Sequence, residues 1–159
     1  MKTAFIIIDV QNILVETGFE TEKLLEKIAY LQDQARKQQI EIIYMQHIET
    51  PEALTSEDWQ LSHLLKRQAD EKVFQKRYNS IFKETGLKEY LDQQGIEQLV
   101  LCGMQTEYCV DTSVKVGFEY GYKLSFQKEL SQPLMERIFR QRRLMNFMKI
   151  FGQNVLRMS

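Results

Sequence analysis

Leu99-Val100-Leu101-Cys102-Gly103-Met104-Gln105-Thr106-Glu107-Tyr108-Cys109-Val110-Asp111-Thr112 is the stretch whose reading decides the architecture. Val100 and Leu101 are apolar strand formers, and Gly103 ends their run. From Tyr108 onward, Val110, Val114, Gly117 and Phe118 recur at helical spacing. A buried strand, a sharp turn and a helix with Cys109 in its first turn follow from this pattern. The exposed N–H groups and partial positive charge of a helix start favour thiolate over thiol, so Cys109 is a candidate nucleophile. A lone cysteine is more often a small buried residue, and the rest of the chain has to decide between the two.

Working outward, the same strand-then-helix unit repeats. Phe5 to Ile8 is a continuous apolar run, the mark of a strand buried on both faces, and it ends in Asp9-Val10-Gln11-Asn12. Thr21 is placed to cap a helix through about Gln38, with Leu24, Leu25, Ile28, Leu31 and Ala35 on one face. Ile40 to Met45 reads as a second strand, Val73-Phe74 as a short third, and Leu87 to Gln94 as a helix stopped by Gly95. Glu97 to Cys102, Tyr108 to Tyr120 and Tyr122 to Phe126 complete the alternation. From Gln46 to about Asp70, around Pro51 and Trp59, the pattern is irregular. The predicted class is α/β: a doubly wound, mostly parallel sheet with helices on both faces.

Composition narrows the function classes. The 159 residues predict one domain, and 43% apolar with 27% charged residues is ordinary for a soluble globular protein. A net charge of −1 supplies no field for nucleic acid or an anionic membrane, and neither is expected as a partner. The apolar start is too short for a signal peptide or a spanning helix, and two cysteines without a CxxC pair fit a reducing compartment. A cytoplasmic location is therefore expected.

Asp9, Lys76 and Cys109 fall at or just past the C-terminal ends of three strands, where open α/β sheets place their sites. Each alone is bland: a turn acid, a solvated lysine, a small buried thiol. Together they are chemically complementary. Lys76 would lower the thiol pKa by its charge, and Asp9 would take the thiol proton and later return it to a leaving group.

The same residues carry a family resemblance. Ile6-Ile7-Ile8-Asp9-Val10-Gln11-Asn12, Trp59-Gln60-Leu61, Phe74-Gln75-Lys76-Arg77-Tyr78-Asn79-Ser80-Ile81-Phe82 and Gly103-Met104-Gln105-Thr106-Glu107-Tyr108-Cys109-Val110 occur in the order and spacing of the isochorismatase-like cysteine hydrolases. That family includes nicotinamidases, carbamoylhydrolases and isochorismatases, and the resemblance runs to about Leu124. It implies a Cys–Asp–Lys triad of Cys109, Asp9 and Lys76. It also implies a cis peptide at Met104–Gln105 and an oxyanion hole from the amides of Gln105 and Cys109. Gln11, Trp59, Tyr78, Gln105 and Tyr108 are expected to contact a small-molecule substrate.

The implied reaction is hydrolysis of a small amide through a thioester. Vinyl-ether cleavage of the isochorismatase type is the alternative within the fold, and a catalytically impaired member acting as an interaction protein is the alternative outside enzymology. A receiver-like signalling domain would need paired acids after the first strand, and Val10 follows Asp9. Gln46-His47-Ile48-Glu49 lacks the Asp-x-His pair of the nicotinamidases, so neither metal nor cofactor is expected, and His47 and His63 are read as surface or site-wall residues.

Residues 125–159 depart from the family pattern. Seven of the 21 basic but only two of the 22 acidic residues lie in 128–159, among them Arg137, Arg140, Arg142 and Arg143. The apolar residues there would offer a surface for a homo-oligomer, a dimer or larger. A frameshifted tail is a further hypothesis. Back-translation one frame over, with codons of our choosing, gives a strand, a turn and a capped acidic helix. The nucleotide sequence decides it, because a reading frame with no low-cost shift into such a string removes the idea.

Overall fold

The computed structural model describes residues 1–126. The expectations for 127–159, the apolar surface for a homo-oligomer and the frameshift origin, lie outside the described residues. Five strands, β1 (Lys2–Ile8), β2 (Glu41–His47), β3 (Lys72–Lys76), β4 (Ile96–Gly103) and β5 (Lys123–Phe126), form one sheet in the order β3-β2-β1-β4-β5. Every pairing is parallel. The helices are α1 (Asn12–Thr17), α2 (Thr21–Lys37), α3 (Leu87–Gln93) and α4 (Asp111–Glu119). This is the α/β sheet that the alternating pattern predicts.

Two-residue periodicity explains why the central strands carry no polar face. In β1, Ala4, Ile6 and Ile8 join one core cluster with Leu87, Leu91 and Val114 of α3 and α4. Phe5 and Ile7 point the other way, to Ile28, Leu31 and Ala35 of α2. β2 divides likewise, Ile43 and Met45 against Ile42 and Tyr44, and β4 sends Leu99 and Leu101 one way and Val100 and Cys102 the other. Each large aliphatic side chain buried this way stabilises the fold by about 1.5–3 kcal/mol. A helix layer on each face is the outcome.

Three local expectations are corrected. Thr21 is the first residue of α2 rather than its cap; Glu20 occupies the cap position in a left-handed conformation and makes no side-chain cap bond. Asn12–Thr17 forms a helix where the sequence offered only a strand end. The helix expected from Tyr108 opens instead as a π-helical turn, Thr106–Val110, before α4 begins.

The irregular connection after β2 contains two 3-10 turns, Pro51–Leu54 and Glu57–Trp59, and is stitched to the end of β1. Asn12 N–H donates to the Gln60 carbonyl at 3.0 Å and Ser62 N–H to the Val10 carbonyl at 2.8 Å. The connection therefore lies over the C-terminal rim of the sheet, where β1, β2, β3 and β4 all end.

Gly103 closes that rim. It pairs in register with Ile8, has φ +142°, and a Cβ built on it would lie 1.9 Å from the Ile8 carbonyl oxygen. Only glycine admits this approach of two backbones. Directly after it, Met104 N–H donates to the Ile8 carbonyl at 2.8 Å, and the Met104–Gln105 peptide is cis.

Candidate active site

Asp9 follows β1 with φ +53°, a left-handed conformation that aspartate tolerates better than most residues. Its N–H still donates to the Met45 carbonyl at 3.0 Å, so the turn is held on the β2 side while Gly103 and Met104 hold it on the β4 side. Lys76 is the last residue of β3 and its side chain is fully buried. Cys109 lies in the π-helical turn, 9% exposed.

The three side chains meet. Lys76 Nζ stands 2.7 Å from Asp9 Oδ2 and 3.3 Å from Cys109 Sγ. It also donates to the Tyr78 carbonyl at 3.1 Å and lies 3.2 Å from His47 Nδ1. Asp9 Oδ1 is buried and has no hydrogen-bond partner. Asn79 Oδ1 lies 3.8 Å from the sulfur. Ser113 braces the turn: its hydroxyl donates to the Cys109 carbonyl at 2.6 Å and accepts from Ile81 N–H at 3.2 Å.

Electrostatics within the cluster reverse one expectation. The thiol is not lowered: burial first, then the Asp9 carboxylate, push Cys109 up to about 11, against the opposing pull of Lys76. At neutral pH the resting sulfur is a thiol. Burial raises the Asp9 carboxyl above its usual 3.8, with Lys76 opposing. Burial, then the Lys76 charge, lowers the His47 imidazole below 6.5.

The predicted contact residues separate into two groups. Gln105 and Tyr108 are exposed beside Cys109, Tyr78 is 38% exposed and Trp59 is half-buried. Gln11 is placed otherwise than expected. It is fully buried, and its amide nitrogen donates to the carbonyls of His47 at 3.0 Å and Trp59 at 2.6 Å, while its oxygen accepts from His47 N–H at 2.9 Å. All its bonding is to backbone, so it shapes the rim rather than facing a ligand. His47 and Asn79 are the neighbours that sequence reasoning did not place at the sulfur and the ammonium. Asn79 lies inside the Phe74 to Phe82 motif, and His47 falls two residues past the predicted second strand, on the same rim.

An open groove of about 720 Å³ lies beside the Met104–Gln105 turn, lined by Phe19, Lys23, Leu24, Lys27, Met104 and Gln105 among others. It includes none of Asp9, Lys76 or Cys109, so the site is defined by the converging side chains and not by that groove. Among the described residues no three His, Cys, Asp or Glu side chains gather to hold a metal ion, and no helix is long and apolar enough to cross a membrane.

Comparison with known proteins identifies the family. The isochorismatase domain family matches residues 3–128, and the chain belongs to that family as a hydrolase. The chain is 28% identical over 131 residues to the isochorismatase family protein YddQ of Bacillus subtilis, covering 77% of this chain and 73% of that one. A 27% identical match to streptothricin hydrolase of Streptomyces noursei covers 76% of this chain but only 46% of that protein. Among solved structures, an isochorismatase from Pseudomonas putida is similar at 29% identity and a TM-score of 0.74, over 81% of this chain and 70% of its own.

Proposed function

We propose that the protein is a cysteine hydrolase that cleaves a small amide through a thioester on Cys109. The observation that carries this assignment is the buried Lys76 ammonium standing between the Asp9 carboxylate and the Cys109 sulfur. The similarity to a streptothricin hydrolase supports hydrolysis as the reaction class. No metal enters the scheme, because acid, base, cation and nucleophile are all side chains.

The unpartnered Oδ1 of Asp9 accepts the thiol proton as the sulfur attacks the carbonyl carbon and a C–S bond forms. Lys76 stabilises the sulfur's negative charge as it develops. The amides of Gln105 and Cys109 receive the oxyanion. Collapse breaks the C–N bond, and protonated Asp9 gives its proton to the departing nitrogen. Water then attacks the thioester, Asp9 takes one of its protons and returns it to the sulfur, and a carboxylic acid leaves. A thiol rather than a thiolate at rest suits this sequence, since the proton that Asp9 later donates starts on the nucleophile.

The test is a panel of small amides assayed for release of ammonia or amine, with Cys109→Ala and Cys109→Ser alongside wild type. Turnover lost in both variants, with an acyl adduct on wild-type Cys109 by mass spectrometry, supports the scheme. Turnover that survives Cys109→Ala refutes it and favours chemistry of the vinyl-ether type.

A further inference from the structure

One ammonium faces four acceptors. Asp9 Oδ2, the Tyr78 carbonyl, His47 Nδ1 and Cys109 Sγ lie 2.7, 3.1, 3.2 and 3.3 Å from Lys76 Nζ. A lysine ammonium has three N–H bonds, so one acceptor always goes short. Asp9 carries a charge and the Tyr78 carbonyl is fixed backbone, which leaves His47 and Cys109 competing for the third bond. The state of the sulfur decides that competition, because a thiol is a weak acceptor and a thiolate a strong one.

We propose that His47 is a positioning residue for Lys76: its unprotonated Nδ1 holds the third N–H while Cys109 is a thiol, and yields it to the sulfur when the thiolate forms. The inference rests on Cys109 being the nucleophile. It goes further by giving the ammonium two settings and naming the residue that occupies the idle one.

The ring is held for this task from both ends. Gln11 grips the His47 backbone through both its N–H and its carbonyl, and the Trp59 ring lies across the imidazole at 6.1 Å. The charged groups that face it are Lys76 from β3, Asp9 from the end of β1 and Glu49 just past β2; Cys109 is the neutral titratable neighbour. A protonated imidazole has no lone pair for Lys76 and sets a second cation 3.2 Å from the first. The working form is therefore the neutral ring with its proton on Nε2.

The chain has two histidines, so nitrogen-15 histidine NMR on the full chain resolves His47 beside the exposed His63. The expected result is an Nε2–H tautomer for His47 with a midpoint below 6.5 that rises in Lys76→Met. An Nδ1–H tautomer, or a midpoint unmoved by Lys76→Met, overturns the proposal. Where Lys76→Met does not fold, His47→Leu and His47→Gln provide the second measurement and leave the buried ion pair in place. Leu removes the competing acceptor, so iodoacetamide should alkylate Cys109 about fivefold faster or more at pH 8. Gln restores an acceptor and should return the rate toward that of wild type. A Leu variant that alkylates no faster than wild type overturns the inference. Neither readout needs turnover, so failure of the amidase assignment would be seen separately in the amide panel.

Discussion

The Lys76 ammonium and the Asp9 carboxylate face each other at 2.7 Å with side chains only 0% and 3% exposed. Removing one partner from such a pair leaves an uncompensated buried charge, at a cost of about 3–5 kcal/mol. Asp9→Asn and Lys76→Met should each lose about that much in denaturant unfolding. The double variant should lose clearly less than the sum, because no orphan charge remains. A strictly additive loss would show that the two groups are not coupled.

Asp9→Asn should separate reactivity from turnover. The carboxylate holds the Cys109 thiol up, and Lys76 pulls it down. Removing the carboxylate should therefore speed alkylation of Cys109 at pH 8 while turnover falls by about 10²–10⁴ for want of a base. Lys76→Met should slow both. Parallel loss of both in Asp9→Asn would mean that Asp9 supports the site without handling the proton.

The resting thiol gives a pH dependence of definite sign. With Cys109 pushed up to about 11, the protonated form dominates at neutral pH, and alkylation of the wild type should rise about tenfold per pH unit between 7 and 10. Rates already level at pH 7 would mean a preformed thiolate. Amide turnover has the opposite limit, since Asp9 must be ionised to accept a proton. Its raised pKa places the acid limb of kcat/KM above the usual carboxylate value of 3.8.

Gly103→Ala should be among the most damaging small changes in the chain. Its added methyl would sit 1.9 Å from the Ile8 carbonyl oxygen, at a φ that side chains rarely adopt. A loss of about 3 kcal/mol or more, or failure to fold, is expected in thermal or chemical unfolding. Gly95→Ala and Gly121→Ala serve as comparisons, because they share a positive φ but meet no atom within 4 Å.

Tyr44→Phe should cost stability through hydrogen bonds alone. The buried Tyr44 hydroxyl donates to Glu71 at 2.8 Å and accepts from Gln32 at 2.6 Å, while Glu71 in turn holds Arg36 from α2 at 2.8 and 3.1 Å. Losing the hydroxyl strands the buried Gln32 amide, at about 1–3 kcal/mol by urea titration, while Glu71 keeps Arg36 and the Gln68 N–H. A change under a few tenths would mean that water takes its place.

The strands were legible because burial on both faces leaves runs such as Phe5 to Ile8 that no surface segment carries. A parallel sheet then puts the C-terminal ends of its strands on one rim, so the sequence places Asp9 after the buried β1 run. By contrast, β3 is largely exposed, and Lys76 is legible there only from the short Val73-Phe74 run. Other features leave no such trace. Asn12–Thr17 is too short to display a helical period, and a π-helical turn at Cys109 preserves the same apolar spacing as an α-helical one. The protonation state of Cys109 depends on how much burial and carboxylate outweigh one lysine, a balance of distances that letters do not contain. Gln11 shows the same limit, since a polar residue at a strand end looks alike whether its amide meets a ligand or backbone.

Gln11 makes opposite walls of the rim mechanically one object. A single amide group fixes the backbone at both His47 and Trp59, two positions twelve residues apart in the chain. Any heritable change at position 11 displaces both walls at once, so remodelling of this entrance proceeds more readily through exposed Tyr78, Gln105 and Tyr108, which can vary singly without loosening the frame.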